Sequence, residues 1–376
     1  MDFLDDPMEA AIRDEVLAHA AKLTGTLDES SLGTFASGWR DCAGAGLLGM
    51  TVPAELGGRG YRHSQALTAM MALGYGCRDN GFVCSVATHQ WACAVPIWRF
   101  GDEATRRAYL PSLTDGSRIG AFAATEESAG SDLAAIAAVA VRHGTGYVLN
   151  GQKSYITNAP VADTVLLLAR SSASAGRGDL TAFLVDTATP GCTVAPQPDT
   201  SGLPGTPLGA LRLDDVAVPA EAVLGRPGQG QFIFGVAMEL ERTYTSAAGL
   251  GFLRRMLGET VAYARSRRQF GRPVSRFQAI AHPLVNEQVN AELAELLLRK
   301  ISRLHDEDRR AYREAAMAKL IISEGLTRTA LLALRSRGAH GFTASAVRAV
   351  SDALASTIYS GTSEVQRNII GSFMGL

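Results

Sequence analysis

A double change of hydrophobic period constrains this chain more than any other feature. Apolar residues first recur at intervals of three and four, as at Ala11, Val16, Leu17 and Ala20 and again at Leu67, Met70, Met71 and Leu73, so residues 8–115 read as helices. From Gly120 to about Val218 the pattern becomes short β-rich runs (146–149, 164–168, 181–185 and 211–218) divided by Gly, Asn and Pro. Asn150-Gly151, between Tyr147-Val148-Leu149 and Ser154-Tyr155-Ile156-Thr157, predicts a tight hairpin turn, because both residues tolerate positive φ. Past Gly225-Arg226-Pro227-Gly228-Gln229-Gly230 the helical spacing returns and holds to about residue 358. Such a chain is neither one helical bundle nor one sheet. It predicts an α+β protein of three units, 1–117, 118–226 and 227–376, with helices on either side of a β unit.

Charge and composition remove several classes of function. Thirty-six Lys+Arg against 37 Asp+Glu give a net charge of -1, which removes the electrostatic case for binding nucleic acid. No apolar run approaches the ~18 residues that span a bilayer. The opening stretch carries Asp2, Asp5 and Asp6 where a signal peptide would be basic, and the five cysteines include no C-x-x-C pair. The expectation is a soluble cytoplasmic protein with reduced thiols. Seven histidines show no metal spacing, so no metal is expected, and no G-x-S-x-G supports a nucleophile-elbow hydrolase. Gly44-Ala45-Gly46-Leu47-Leu48-Gly49 matches the dinucleotide fingerprint, but a helix-like segment precedes it where a strand is required. It reads as a helix end and a turn.

Three segments remain as carriers of chemistry. Ala124-Thr125-Glu126-Glu127-Ser128-Ala129-Gly130-Ser131-Asp132 is small and polar at the entry of the β region, and alone reads as an ordinary turn. Arg265, Arg267 and Arg268, followed by Gln269-Phe270-Gly271-Arg272-Pro273 and by Gln278, either grip phosphate or answer a helix C-terminus. Tyr359-Ser360-Gly361-Thr362-Ser363-Glu364 is a helix N-cap, with or without an anion on its free N–H groups.

Taken together, with Leu48–Gly58 text such as Val52-Pro53-Ala54-Glu55-Leu56-Gly57-Gly58, with Asn150-Gly151-Gln152-Lys153 and with Asp215-Val216-Ala217-Val218-Pro219, the three segments resemble the acyl-CoA dehydrogenase family over nearly the whole chain. The resemblance implies an N-terminal helical domain, a β-barrel-like middle domain, a C-terminal four-helix bundle, noncovalent FAD, and assembly as a homotetramer or homodimer. It puts Ala124, Thr125 and Ser131 beside the flavin, with Ser131 also on the substrate side. Tyr155, Ile156 and Thr157 match the triplet flanking the isoalloxazine, Thr157 within reach of N5. Arg267, Gln269, Phe270 and Gln278 match positions that hold the FAD of a neighbouring subunit, and Thr362 and Glu364 match adenosine-side contacts. Arg335 stands where the family often has Gln, and either meets pyrophosphate or is solvated.

Family members oxidise an acyl thioester across Cα–Cβ, and many place the carboxylate base directly before the Gly-Thr of the third segment. Ser360 occupies that position here, and a serine hydroxyl cannot replace a carboxylate. The isovaleryl-CoA and long-chain branches carry the base on a different helix, immediately before an Arg, and Glu241-Arg242 matches that arrangement. Glu241 also lies on an apolar helical stripe with Phe234, Ala237, Met238, Ala248 and Phe252, where burial would raise its pKa. Glu239 points elsewhere and is expected to pair with Arg242. A structural ion pair across the bundle is the other reading of Glu241. Met238, Arg242, Tyr359, Ser360 and Gly361 complete the expected substrate side, with the thioester carbonyl on the Ser360 N–H.

Three departures bear on the substrate. Glu127-Ser128 replaces the family's Pro-Gly, Ser351-Asp352-Ala353 lacks the usual Arg, and residues 202–209 lack the usual Gly-x-Arg. Drift on the pantetheine side points to a specialised substrate, an acyl group on a carrier protein instead of CoA, so the expected substrate is an acyl-CoA or an acyl carrier protein thioester. The expected electron acceptor is an electron-transfer flavoprotein or another acceptor. A flavin oxidase or monooxygenase of the same fold, and a noncatalytic member, stay open as alternatives.

Overall fold

The computed structural model describes residues 6–23, 32–171, 179–196, 200–342 and 344–376. Its first helices are α1 (Pro7–Leu23), α2 (Leu32–Gly44), α3 (His63–Gly76), α4 (Asn80–Ala87), α5 (Val95–Phe100) and α6 (Glu103–Thr114). A fully buried π-helical segment, Thr88–Ala94, joins α4 to α5. The glycine run at 44–49 ends α2 and turns through Gly46 at φ +68°, with the Leu47 N–H on the Cys42 carbonyl. It is a helix end, as its position in the pattern predicts.

The middle sheet has eight strands: β1 (Gly120–Ala123), β2 (Val139–His143), β3 (Gly146–Thr157), β4 (Thr164–Arg170), β5 (Leu180–Asp186), β6 (Cys192–Pro196), β7 (Leu208–Val218) and β8 (Val223–Leu224). Their order is β6-β7-β3-β2-β4-β5-β8, with β1 parallel to β4. The near-continuous apolar runs of β4 and β5 are buried at all but their last residue, as strands covered on both faces must be.

The expected hairpin at Asn150-Gly151 is not there. β3 runs straight through both residues, and the chain reverses instead at Gly144 (φ +58°) between β2 and β3. Gly151, at φ +143°, makes a bulge against β7, where the register shifts between Leu149 and Gly151. A Cβ there would sit 2.8 Å from Ala138 Cα. The Asn150 amide is spent on Asp215, accepting its N–H at 2.9 Å and donating to its carboxylate at 3.0 Å.

The last part contains α7 (Gly230–Ser266), a small ribbon of β9 (Arg268–Gln269) and β10 (Arg272–Pro273), then α8 (Gln278–Asp306), α9 (Tyr312–Ser336), α10 (Ala344–Ala355) and α11 (Ser363–Met374). α9 packs against α7, α8, α10 and α11. α7 is buried over most of its 37 residues because α3 covers it from the other side. No helix among the described residues is long and apolar enough to cross a membrane.

α3 and α7 touch backbone to backbone through two glycines. A Cβ on Gly74 would lie 2.0 Å from the Ala248 carbonyl oxygen, and one on Gly251 would lie 2.1 Å from that of Met71. Neither backbone can yield locally, so Gly74→Ala is expected to cost about 3 kcal/mol, the upper end for overpacking. A denaturant titration would register it as a lower midpoint with an unchanged slope.

Candidate active site

Glu241 is placed by that crossing. It stands on α7 one turn beyond Met238, which packs with Ala237, with Ala92 of the π segment and with Phe122 of β1 and Phe234. The rings of Phe122 and Phe234 lie 5.9 Å apart, so the end of β1 abuts the same stretch of α7. The carboxylate keeps a partly open face, yet protein surrounds it closely. Burial pushes Glu241 up to about 7, against the opposing pull of the Thr88 hydroxyl, the Arg242 guanidinium and the Ser360 hydroxyl. Thr88 Oγ1 donates to Glu241 Oε1 at 3.3 Å. The Ser360 hydroxyl faces the carboxylate but falls outside full hydrogen-bond geometry. Among the described residues no ion pair reaches Glu241 from across the bundle, so the structural reading of this residue has no partner to support it.

The opposite wall is the turn from Tyr359 to Thr362. Ser360 (φ +53°) and Gly361 (φ +91°) are consecutive left-handed residues, strained for a serine and held from three directions. Arg242 Nε donates to the Ser360 carbonyl at 2.9 Å, Gln366 Nε2 donates to it at 3.3 Å and to that of Gly361 at 2.8 Å, and Thr362 caps α11 by accepting the Val365 N–H. The Ser360 N–H has no acceptor among the described residues. Arg242 is buried, with its guanidinium 5.3 Å from the Tyr312 ring centre. Arg242→Lys removes the Nε contact, and turnover is expected to fall roughly ten- to hundredfold, the worth of a charge-assisted hydrogen bond. Steady-state kinetics on the flavin-loaded protein check this.

The β side supplies a ledge. Lys153, fully buried, donates to Glu126 Oε1 at 2.7 Å and to the Ala124 carbonyl at 3.1 Å, and the Ser154 N–H reaches the Thr125 carbonyl at 3.0 Å. Glu126 also accepts the N–H groups of Ala137 and Ala138. The first segment is thereby stapled to β3. Beyond the staple β3 bulges, and Tyr155 takes φ +57° and turns its ring outward, 60% exposed, between buried Ser154 and Ile156. Asn158 Nδ2 donates to the carbonyls of Ser85 and Gly120, tying the ledge to α4 and β1. The donor set suits a flavin: one aromatic face, and the hydroxyls of Thr125, Ser131 and Thr157, which have no side-chain partner among the described residues.

Other expected residues lie apart. Arg267, Gln269, Phe270 (91% exposed) and Gln278 cluster at the far end of α7. At ~1.5 Å per residue, Arg267 is about 39 Å along the helix from Glu241. Arg335 is exposed in the last turn of α9, and Glu364 is exposed at the start of α11, 3.8 Å from Arg367. Glu239 does not pair with Arg242. It is buried, accepts from His305 Nε2 (3.1 Å), Arg310 Nε (2.5 Å) and the Ala311 N–H (2.6 Å), and turns away from the site because residues two apart on a helix face different ways. Sequence reasoning also passed over Thr88, the Lys153–Glu126 pair and Lys319. Lys319 is buried in a cavity lined by Arg242, Thr245, Ser323, Tyr359 and Ser360, where burial, with Arg242 adding, pushes it down to about 8. Lys153 and Glu126 were legible only as an unexplained acid and base inside two motif segments.

Acyl-CoA dehydrogenase models match the chain in succession, the N-terminal domain over residues 4–117, the middle domain over 121–216 and the C-terminal domain over 228–375. The L-prolyl-(peptidyl-carrier protein) dehydrogenase of Pseudomonas fluorescens is 37% identical, covering 93% of this chain and 93% of its own length. Among solved structures, the prolyl acyl carrier protein oxidase AnaB has a TM-score of 0.95 at 35% identity, covering 99% of this chain and 100% of its own. PigA with FAD and proline has a TM-score of 0.95 at 31% identity, with 100% of both chains covered. The chain belongs to the acyl-CoA dehydrogenase family. It is an FAD-dependent oxidoreductase that dehydrogenates an acyl thioester.

Proposed function

We propose that Glu241 is the base of this reaction and that the acyl group arrives on a carrier protein. The observation that carries the reading is a carboxylate of raised pKa on α7, facing a strained turn whose Ser360 N–H has no acceptor among the described residues. Its pKa near neutrality matches the task of a general base, which must be charged before it acts and must hold the proton afterwards. Tyr155, Ile156 and Thr157 with Ala124, Thr125 and Ser131 would hold the flavin. Bound FAD supplies the two-electron acceptor for the hydride that leaves the β-carbon. Glu241 takes the α-proton, and the C–H electron pair becomes the new Cα–Cβ double bond. The Ser360 N–H bonds the thioester oxygen and stabilises the enolate as charge develops. Arg242 holds the Ser360 carbonyl and so fixes that peptide, while Met238, Tyr359 and Gly361 wall the acyl group.

The carrier-bound substrate is supported by the similarity to proteins that act on prolyl groups on carrier proteins. We further propose the unit boundaries at 117/118 and 226/227. We also propose a homotetramer or homodimer, with Arg267, Gln269, Phe270 and Gln278 serving a neighbour's FAD beside Arg335, Thr362 and Glu364, an arrangement that accounts for the distance of Arg267, Gln269, Phe270 and Gln278 from Glu241. The five unpaired cysteines fit a cytoplasmic location.

Anaerobic mixing of the flavin-loaded protein with acyl- and aminoacyl-carrier-protein thioesters and with the matching CoA thioesters tests the reading. Bleaching of the flavin by carrier thioesters alone is expected, and bleaching by CoA thioesters alone would overturn the carrier assignment. AnaB is an oxidase, so peroxide release in air would identify oxygen as the acceptor here, and its absence would favour an electron-transfer flavoprotein.

A further inference from the structure

A threonine inside a helix ordinarily turns its hydroxyl back to the carbonyl four residues earlier. Thr88 reaches out of its own helix instead, and donates to Glu241 Oε1 on α7. The backbone N–H of Thr88 is shared between the carbonyls of Cys84 and Ser85. Thr88 is also where the helix widens into the π segment, and such insertions re-aim the side chains around them.

The segment is pinned along its length. The His89 ring accepts the Gly120 N–H at Nδ1 (2.8 Å), which leaves the proton on Nε2 for the Leu113 carbonyl (3.0 Å). Gln90 Oε1 accepts the Met50 N–H at 2.9 Å. Trp91 stacks on Tyr244 of α7 with ring centres 3.6 Å apart, one turn beyond Glu241. One turn before Thr88, on the same face, the buried Cys84 thiol lies against the Thr88 hydroxyl. Burial, with the Glu241 charge beside it, pushes that thiol up to about 12 against the opposing pull of the Thr88 hydroxyl, so it stays protonated.

We infer that Thr88 is a positioning residue for the base: its hydroxyl fixes one carboxylate oxygen, favours the charged form, and leaves the second oxygen for the substrate's α-proton. The inference rests on Glu241 being the base. Removing a donor that favours the carboxylate raises its pKa, so the acidic limb of the rate profile must move to higher pH.

The test is the pH dependence of kcat for flavin-loaded wild type, Thr88→Val, Thr88→Ser and Glu241→Gln, with whichever thioester the wild type turns over. Thr88→Val is expected to move the acidic limb up by about one pH unit, a hydrogen bond's worth. Thr88→Ser, which restores a hydroxyl, is expected to return the limb toward wild type. A limb that stays put or moves down in Thr88→Val, with Glu241→Gln inactive, would overturn the role of Thr88 and leave the base standing. Full turnover in Glu241→Gln would overturn both. Flavin absorbance and thermal melting confirm that each variant is loaded and folded, so that a shift of the limb reports the carboxylate and not damage to the helix.

Discussion

Glu241→Gln is expected to lower turnover roughly 100- to 10,000-fold, the usual contribution of a positioned general base, while the protein stays folded and yellow. Glutamine keeps the shape of the side chain and its contact with Thr88 but cannot take a proton. With Glu241 as the proposed base, wild-type activity needs the carboxylate charged, and burial pushes Glu241 up to about 7. Turnover should therefore rise with pH through neutrality and drop about tenfold per unit well below it. Glu239→Gln provides the contrast. Its carboxylate is spent on His305, Arg310 and Ala311, so that variant should melt at lower temperature and keep most of its turnover. If Glu239→Gln were dead and Glu241→Gln within a few-fold of wild type, the base would be assigned to the wrong residue.

The second large effect is expected at the staple under the flavin ledge. Lys153→Met leaves Glu126 charged and buried without its cation, a change that costs about 3–5 kcal/mol. The ledge should loosen with it, so FAD should be lost on desalting while the wild type retains it. Lys153→Met/Glu126→Gln removes both charges and should recover much of the melting temperature, because replacing a whole buried pair costs far less than breaking it. Acid acts on the same bond. Burial pushes Glu126 up, but hydrogen bonds from Lys153, Ala137 and Ala138 outweigh it and hold the carboxyl below its usual range. Burial pulls Lys153 down, and Glu126 offsets that in part. The lowered Glu126 contributes stability that is present above its unfolded value of 4.5 and is lost as pH falls through its folded value. Melting temperatures measured from pH 7 to pH 3 should decline in that window, and should decline less in the double variant.

The two changes of hydrophobic period were enough to expose helices, sheet and helices, because burial on one face repeats at the spacing of the backbone that carries it. Asn150-Gly151 misled for a physical reason. A dipeptide that tolerates positive φ serves a bulge as well as a turn, and the choice is made by Asp215 on a strand 65 residues later. Glu241 was legible because a carboxylate on an apolar stripe is costly and so carries a purpose. Its neighbour Glu239 sits deeper and is paired three times over, with partners more than sixty residues away that no local spacing announces. Thr88 was invisible for the same reason, since nothing about a threonine before His-Gln-Trp marks it until the helix meets α7. The strained φ of Ser360 was equally hidden, although the glycine after it was not.

The crossing of α3 and α7 has a bearing on how this scaffold can be retargeted. Two backbones locked at Gly74 and Gly251 leave α7, with Glu241 on it, no room to slide or rotate. The turn at residues 359–361 sits on a different part of the chain and is held to its surroundings by the side chains of Arg242 and Gln366. A library that varies that turn and the residues leading into it would reshape the space in front of a stationary Glu241, whereas one aimed at the glycine crossing of α7 would spend most of its members on misfolded chains.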